Sequence, residues 1–413
     1  MNATDRYTGT DRYTVISADC HAGADIPHYR PYLDPAYRDE FDGWAASFVN
    51  PFADLSEPDA ERNWNSTRRN ADLDREGVCG EVIFPNTVPP FFPRASLSAP
   101  PPADARELEL RWAGLRAHNR WLTDFCAEAP ERRAGVGQIL LGDLDEAVAG
   151  VQEIAKAGLR GGVLLPGVAP GTGLPPLYAE HWEPLWAACA DSGVVVNHHG
   201  GNAGPAPTGE FGSDFAVWVY ETHWWAHRVL WHLIFSGALE RHPDLVLVLT
   251  EQGSGWVPAT LDSLDVTAAR YARPGSAINR FAGPTAGSLP MKPSDYWRRQ
   301  CYVGASFMRP VECALRDRMG VDRVMWGSDY PHFEGTSPFT LEALRHTFSD
   351  VDPEDVAAII GGNAAKVYGF DLDALAPLAG RIGPTVGEVA EPLDAVPSGA
   401  SSTAFEPDPI RAW

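Results

Sequence analysis

Three short stretches of this chain carry side chains whose types and spacing could hold a metal ion. The first is Asp19-Cys20-His21. Alternate residues of an extended strand face the same way, so a carboxylate at i and an imidazole at i+2 can converge on one ion while Cys20 turns aside. The plainer reading of this pair is a buried, hydrogen-bonded Asp and His. The second stretch is Asn197-His198-His199-Gly200-Gly201, closing an apolar run that starts at Val194. Neighbouring strand residues cannot both point inward. If Asn197 does, so does His199, and His198 packs outward. His199 is therefore the expected ligand, neutral imidazole being a common one. The glycines after it permit a tight turn. The third stretch runs from Arg323 to Gly335 and contains Asp329, His332 and Glu334. Asp329 could ligate a metal and also move a proton, with His332 and Glu334 in reach on the following loop. As a purely structural residue it would cap the next turn.

A further histidine cluster, His223, His227 and His232, has partial i, i+4 spacing but lacks the glutamate of an HExxH zinc motif, and tryptophans occupy the interior positions. It reads as an amphipathic helix, with Trp224 and Trp225 as packing residues or a pocket wall. No GxSxG elbow, Walker loop or GxGxxG after the first strand occurs, so nucleotide cofactors are not indicated.

These motifs need elements to position them. Apolar runs of strand character begin near Val15, Glu81, Gly135, Gly162, Val194, Leu245, Tyr302 and Arg323. Helix-like stretches lie between them at 103–128, 143–157, 176–191, 217–241, 308–319 and 339–348. Strands alternating with helices argue for βαβ units and a parallel sheet, and eight repeats favour an α/β fold closed into a distorted (β/α)8 TIM barrel. The three motifs then sit at the ends of strands one, five and eight, on one rim. Long stretches at 42–72, 89–102, 200–214 and 273–296 read as loops, of which the last three would roof the pocket. Residues 1–14 read as an N-terminal tail, 15–375 as the barrel domain, and 376–413 as a partly disordered C-terminal arm suited to packing on a neighbouring subunit. A homodimer or higher homo-oligomer is expected.

The chain has 413 residues, 44% hydrophobic and 21% charged, with a formal net charge of −22. That charge repels phosphate backbones and anionic lipid, which argues against nucleic-acid and membrane partners and leaves a small-molecule substrate. The six scattered cysteines lack CxxC spacing, no signal peptide precedes the first strand, and no stretch reaches the length of a membrane span, so a cytoplasmic protein is expected.

Through Glu81 to Asn86, His118-Asn-Arg-Trp121, His242 to Leu245, Thr250-Glu-Gln-Gly253 and Trp326 to His332, the chain resembles the amidohydrolase superfamily over residues 14–385. Within it, it is similar to the amidohydrolase-2 group related to aminocarboxymuconate semialdehyde decarboxylase. The resemblance implies a divalent metal on a TIM barrel. Its strand-one HxH falls on Asp19 and His21, its strand-five histidine on His199 and its strand-eight aspartate on Asp329. An oxygen donor replaces the first imidazole, which makes Mn2+ a competitor to Zn2+. Many members end strand six in a histidine, where this chain has Glu251, able to accept a proton or bind metal. None of Lys156, Lys292 and Lys366 ends a candidate strand, so the carboxylated lysine of two-metal members is missing and one metal per chain is expected.

Two reactions fit these residues. One is nonoxidative decarboxylation of a small aromatic or unsaturated acid, with Asp329 delivering the proton and Glu251 and His332 assisting. The other is hydrolysis of an amide or lactone on the same site. The family's reactions favour the first. A non-catalytic ligand-binding barrel would be marked by loss of a donor, and all four positions hold one. Phe91, Phe92, Trp218, Trp224 and Trp225 are compatible with a flat ligand.

Overall fold

The computed structural model describes residues 11–49, 59–94, 99–201, 204–205 and 212–406. Eight strands, β1 (Val15–Ala22), β2 (Val78–Pro85), β3 (Arg133–Gln138), β4 (Gly162–Leu164), β5 (Val196–His199), β6 (Leu247–Thr250), β7 (Cys301–Ser306) and β8 (Val324–Gly327), follow one another in sequence order. Every neighbouring pair is parallel. The ring closes where β8 returns to β1: His21 N donates to Tyr330 O (2.7 Å) and Asp329 N to Asp19 O (2.8 Å). This is the expected (β/α)8 barrel.

The connections carry helices α1 (Arg38–Ser47), α2 (Ser66–Arg75), α3 (Ala105–Ala127), α4 (Leu144–Lys156), α5 (Glu183–Asp191), α6 (Ser213–Phe235), α7 (Val257–Ala272), α8 (Pro293–Gln300), α9 (Thr340–Phe348) and α10 (Leu372–Ile382). Their starts are written in sequence: Asp104 and Asp143 accept from the backbone N–H of Glu107 and Glu146, capping α3 and α4. The span 42–72, read as loop, holds the end of α1 and the start of α2, and 50–58 within it lie outside the described residues.

Two apolar regions result. Side chains from the outer faces of the strands pack against the helices. Inside the barrel, Ile16, Val82, Val136, Val248 and Met325 fill the interior, and Tyr368, Phe370 and Leu375 plug its N-terminal mouth. The Tyr368 hydroxyl donates to Asn197 Oδ1 at 2.7 Å, so this floor reaches the middle of β5.

The expected boundary at 375/376 falls inside α10. Beyond it, a short helix at Val386–Ala390 starts on a Thr385/Glu388 capping box, and Val389, Ala404 and Phe405 are buried. Ala404 and Phe405 join Ala343 of α9 in a small core. As far as Glu406, the stretch read as an arm therefore packs on its own barrel, and 407–413 lie outside the described residues. Of the N-terminal tail, 1–10 lie outside as well, while Tyr13 is buried and its N–H bonds Pro384 O at 2.9 Å. Among the described residues no helix is long and apolar enough to cross a membrane.

Candidate metal centre

β1 does not run in regular register to its end. Its pairing with β2 breaks between Ser17 and Cys20. Across the break the inward-facing set changes from Ile16 and Ala18 to Asp19 and His21. Such a bulge re-aims the side chains beyond it. Ser17 stabilises it, its hydroxyl donating to Asp19 O (2.7 Å) and accepting from Ser328 N (2.8 Å). On β8, a Cβ at Gly327 would lie 2.7 Å from Asp19 Cβ, so only glycine lets the strands approach there. Beneath β1 the buried Arg69 donates to His21 O (2.8 Å) and pairs with Glu81 (2.7 Å).

Both inward histidines carry their proton on the far nitrogen. His21 Nδ1 lies 3.1 Å from Pro85 O, and His199 Nδ1 lies 2.9 Å from Gly200 O. A carbonyl only accepts, so each Nδ1 donates and each Nε2 is the nitrogen turned to the centre, free to ligate an ion that displaces its proton. β5 has the phase argued from its sequence: Asn197 and His199 face inward and His198 turns to the other side, toward Leu165 O.

Three of the four expected ligands, Asp19, His21 and His199, converge together with Glu251, and Asp329 joins them through His21, in groups of its own with His332 and with Glu251 and Glu334. His21 Nε2 is 3.3 Å from Asp19 Oδ1 and 3.2 Å from Asp329 Oδ1, and His199 Nε2 is 3.5 Å from Asp19 Oδ1. These atoms are buried, yet none makes a directed hydrogen bond. Donors about 2.0–2.2 Å from one ion stand roughly 3–3.6 Å from each other, so the separations and the unused lone pairs both fit a divalent cation. Ser306 donates to the remaining oxygen of Asp19, Oδ2, and Phe84 packs on His199 with ring centroids 4.8 Å apart.

Around this core stand three more titratable groups. Glu251 Oε2 lies 3.1 Å from His199 Nε2, close enough to serve as a further donor as well as a proton carrier. His332 stacks on His21, with Nδ1 2.9 Å from Asp329 Oδ1 and Nε2 3.1 Å from Asn86 Oδ1. Asn86 is held in that orientation by donating to Asn63 Oδ1 (2.6 Å). Its Oδ1 therefore takes the Nε2 proton of His332 and turns Nδ1 toward Asp329. Glu334 closes an acidic group with Glu251 and Asp329. Glu251 and Asp329 both adopt positive φ, 52° and 59°, rare for residues with side chains and suited to held, functional geometry.

Electrostatics follow from burial and crowding. Burial would raise Asp19, but the facing His199 and His21 outweigh it and hold the carboxyl well below its ordinary range. Burial would lower His21, and Asp19 with Asp329 outweigh it in the opposite direction. Glu251 is pushed up to about 7, first by burial and then by Asp329.

Sequence reading had named Glu334 only as a neighbour and had missed Asn86, Asn63 and Ser306, whose types carry no signature. Among the described residues, His223, His227 and His232 join none of the metal-competent groups. His227 Nε2 bonds Gln252 O (3.0 Å) and stacks on Trp256. Of the residues proposed to meet a flat ligand, Phe91 and Phe92 are buried in the core and Trp224 is half-exposed.

The amidohydrolase family model, that of the amidohydrolase-2 group, matches residues 67–370. The chain belongs to the amidohydrolase family. No curated protein sequence matches it significantly. Solved structures do resemble this amidohydrolase. A 5-carboxyvanillate decarboxylase from Novosphingobium aromaticivorans with bound manganese shares 19% identity and a TM-score of 0.64, over 87% of this chain and 98% of that one. A 2,6-dihydroxybenzoate decarboxylase from Rhizobium shares 17% at 0.58, over 87% and 99%. An amidohydrolase from Mycobacterium avium subsp. paratuberculosis shares 21% at 0.62, over 86% and 99%. At these identities the likeness establishes the common fold.

Proposed function

We propose that this amidohydrolase is a metal-dependent nonoxidative decarboxylase of a small aromatic or unsaturated carboxylic acid. The observation that supports the metal is the convergence of unpartnered Asp19, His21 and His199 atoms at ligand spacing, with the unpartnered Asp329 Oδ1 3.2 Å from His21 Nε2. The decarboxylase reading is supported by the similar structures, two of which are aromatic acid decarboxylases and one of those with manganese. One Zn2+ or Mn2+ per chain would be held by those four residues. When bound, it supplies Lewis acidity toward the oxygens of the substrate.

The chain's own groups supply the rest. Asp329, in contact with His332, is the proton donor to the substrate carbon, and His332, braced by Asn86, restores the proton. The proton bonds to carbon, the carbon–carbon bond to the carboxylate breaks, and its electrons leave the product neutral as carbon dioxide departs. Glu251, which also faces Asp329, is the second proton carrier. Phe84 and the buried histidines keep water from the reacting carbon.

Hydrolysis of an amide or lactone would use the same residues with water consumed. Isotopes separate the two. Product formed in D2O should carry deuterium where the carboxyl group was, with carbon dioxide released. Heavy oxygen from H2(18)O in a new carboxylate, without carbon dioxide, would replace this reading with the hydrolytic one.

Self-association is part of the proposal. The exposed first half of α6 carries Phe215, Val217, Val219, Tyr220 (83% exposed) and Trp224 (51% exposed) on several of its sides. Exposed apolar patches of this kind on monomers mark interaction sites. A second copy offering the same helix across a two-fold axis satisfies both chains at once. Light scattering should give a dimer or larger that Tyr220→Lys weakens; a monomer at micromolar concentration would refute it.

A further inference from the structure

Asp19 is the donor whose carboxylate orientation is most fully specified, and the residue that specifies it comes from β7. Along that strand Tyr302 joins the apolar interior, while Val303 and Ala305 pack outward among the helices. The two-residue period of a strand therefore turns Ser306 inward as well. Beyond it the chain bends at Phe307, whose φ of 38° is left-handed and whose N–H donates to Gly327 O at 2.9 Å. Ser306 is thus held, buried, at the last inward position of β7.

β8 stands between β7 and β1, so a side chain of β7 reaches Asp19 only by crossing it. The residue of β8 paired with Ser306 is Gly327, where a Cβ would lie 2.7 Å from Asp19 Cβ. The missing side chain clears the path, and Ser306 Oγ donates to Asp19 Oδ2. The other oxygen, Oδ1, makes no hydrogen bond and faces His21 Nε2 at 3.3 Å and His199 Nε2 at 3.5 Å. One oxygen of the carboxylate is committed to the protein and one is turned to the centre.

That asymmetry bears on which ion is held. A hydroxyl bonded to an ionised carboxylate makes one of the stronger hydrogen bonds in proteins, and burial strengthens it further. A carboxylate with both oxygens free can grip an ion with two, which raises the number of donors around it; one with an oxygen committed offers a single donor. Zn2+ suits a tetrahedral set of single donors, whereas Mn2+ suits a larger, oxygen-rich octahedral set.

We propose that Ser306 is a positioning residue that keeps Asp19 a ligand through one oxygen and thereby biases the centre toward Zn2+ over Mn2+. The inference rests on the metal centre proposed above and on no assumption about the reaction run there.

The test is a competition on full-length protein stripped of metal by chelation. Mn2+ binding is followed by electron paramagnetic resonance, and displacement by buffered Zn2+ gives the ratio of the two affinities. In Ser306→Ala the preference for Zn2+ over Mn2+ should fall by about tenfold, the equivalent of one hydrogen bond. Ser306→Thr keeps the hydroxyl and should hold the ratio within about twofold of wild type, even where the added methyl weakens both ions. Ser306→Cys, a weak donor of similar shape, serves if the alanine variant does not fold. A purely structural role would weaken both ions together and leave the ratio alone. An unchanged ratio in Ser306→Ala, or an equal fall in Ser306→Thr, would overturn the proposal. Wild-type protein that takes up neither ion stoichiometrically would overturn the metal centre itself, and this inference with it.

Discussion

The two mouths of the barrel are built on opposite rules. At the N-terminal mouth, Tyr368, Phe370 and Leu375 close a dry apolar floor, and its one prominent polar contact, Tyr368 to Asn197, is fully made. At the C-terminal mouth, four carboxylates and three imidazoles crowd together, several of their atoms make no hydrogen bond, and two backbones are held at positive φ. Each such backbone costs on the order of 1–3 kcal/mol. The lesson is a division of labour: one end of the same eight strands stabilises the ring, and that stability holds the other end in an arrangement that would not persist alone.

Substitutions at the two mouths should therefore have separable effects. The largest is expected of His199→Ala. It removes a proposed ligand, so metal affinity should fall by more than the roughly 10–100-fold typical of groups behind the ligands. Turnover should be lost, while the unfolding temperature of the metal-free protein moves little. His198→Ala should retain the metal; the reverse pattern in metal analysis would mean the strand phase is misassigned. Glu251→Gln comes next. Turnover should drop by about 10²–10⁴-fold, the usual weight of a proton carrier, with metal still bound. Removing a charge from beside Asp329 and Asp19 should leave the metal-free protein at least as heat-stable as wild type. Unchanged turnover would demote Glu251, and lost metal would make it a ligand.

At the floor the pattern inverts. Phe370→Ala should cost about 3–5 kcal/mol of stability, read as a lower denaturation midpoint, with metal stoichiometry intact at low temperature. Loss of the ion in a folded variant would show that the two ends are not separable. The smallest effect concerns His118, buried in the helical layer and held neutral, its pKa lowered by burial to about 3. The unfolded chain binds the proton near pH 6.5 and the folded one does not. The contribution is thus present above about pH 6.5 and lost as pH falls toward 3, with a slope of at most about 1.4 kcal/mol per pH unit. Melting curves of metal-free protein at pH 8 and pH 5 should diverge more for wild type than for His118→Gln; equal divergence would place the acid sensitivity elsewhere.

What could be read in the sequence divides along the same line. The barrel was legible because each strand is a short apolar run between helical periods. Asp19, His21, His199 and Asp329 stand out as candidates because they end such runs. The bulge at Ser17 to Cys20 was not legible, since it depends on a serine hydroxyl meeting β8. Asn86 and Ser306 were not either, because their roles arise only when distant elements meet, as Ser306 meets Asp19 across 287 positions. The 376–406 segment misled through composition: its prolines, glycines and acids suggest a tail, yet Val389, Ala404 and Phe405, spaced too widely for a periodic signal, anchor it.

The seam between β1 and β8 has a consequence for how the protein comes into being. Ser17 and Ser328, which bond across it, are 311 positions apart, and Asp19 and Asp329 stand beside them. During synthesis, a chain emerging from the ribosome cannot assemble the donor set until nearly all of the barrel has been made. An early Asp19-His21 pair alone offers too few donors to retain an ion. Capture of the metal therefore reports completion of the ring, and an unfinished or truncated product should leave the cell's metal pool untouched.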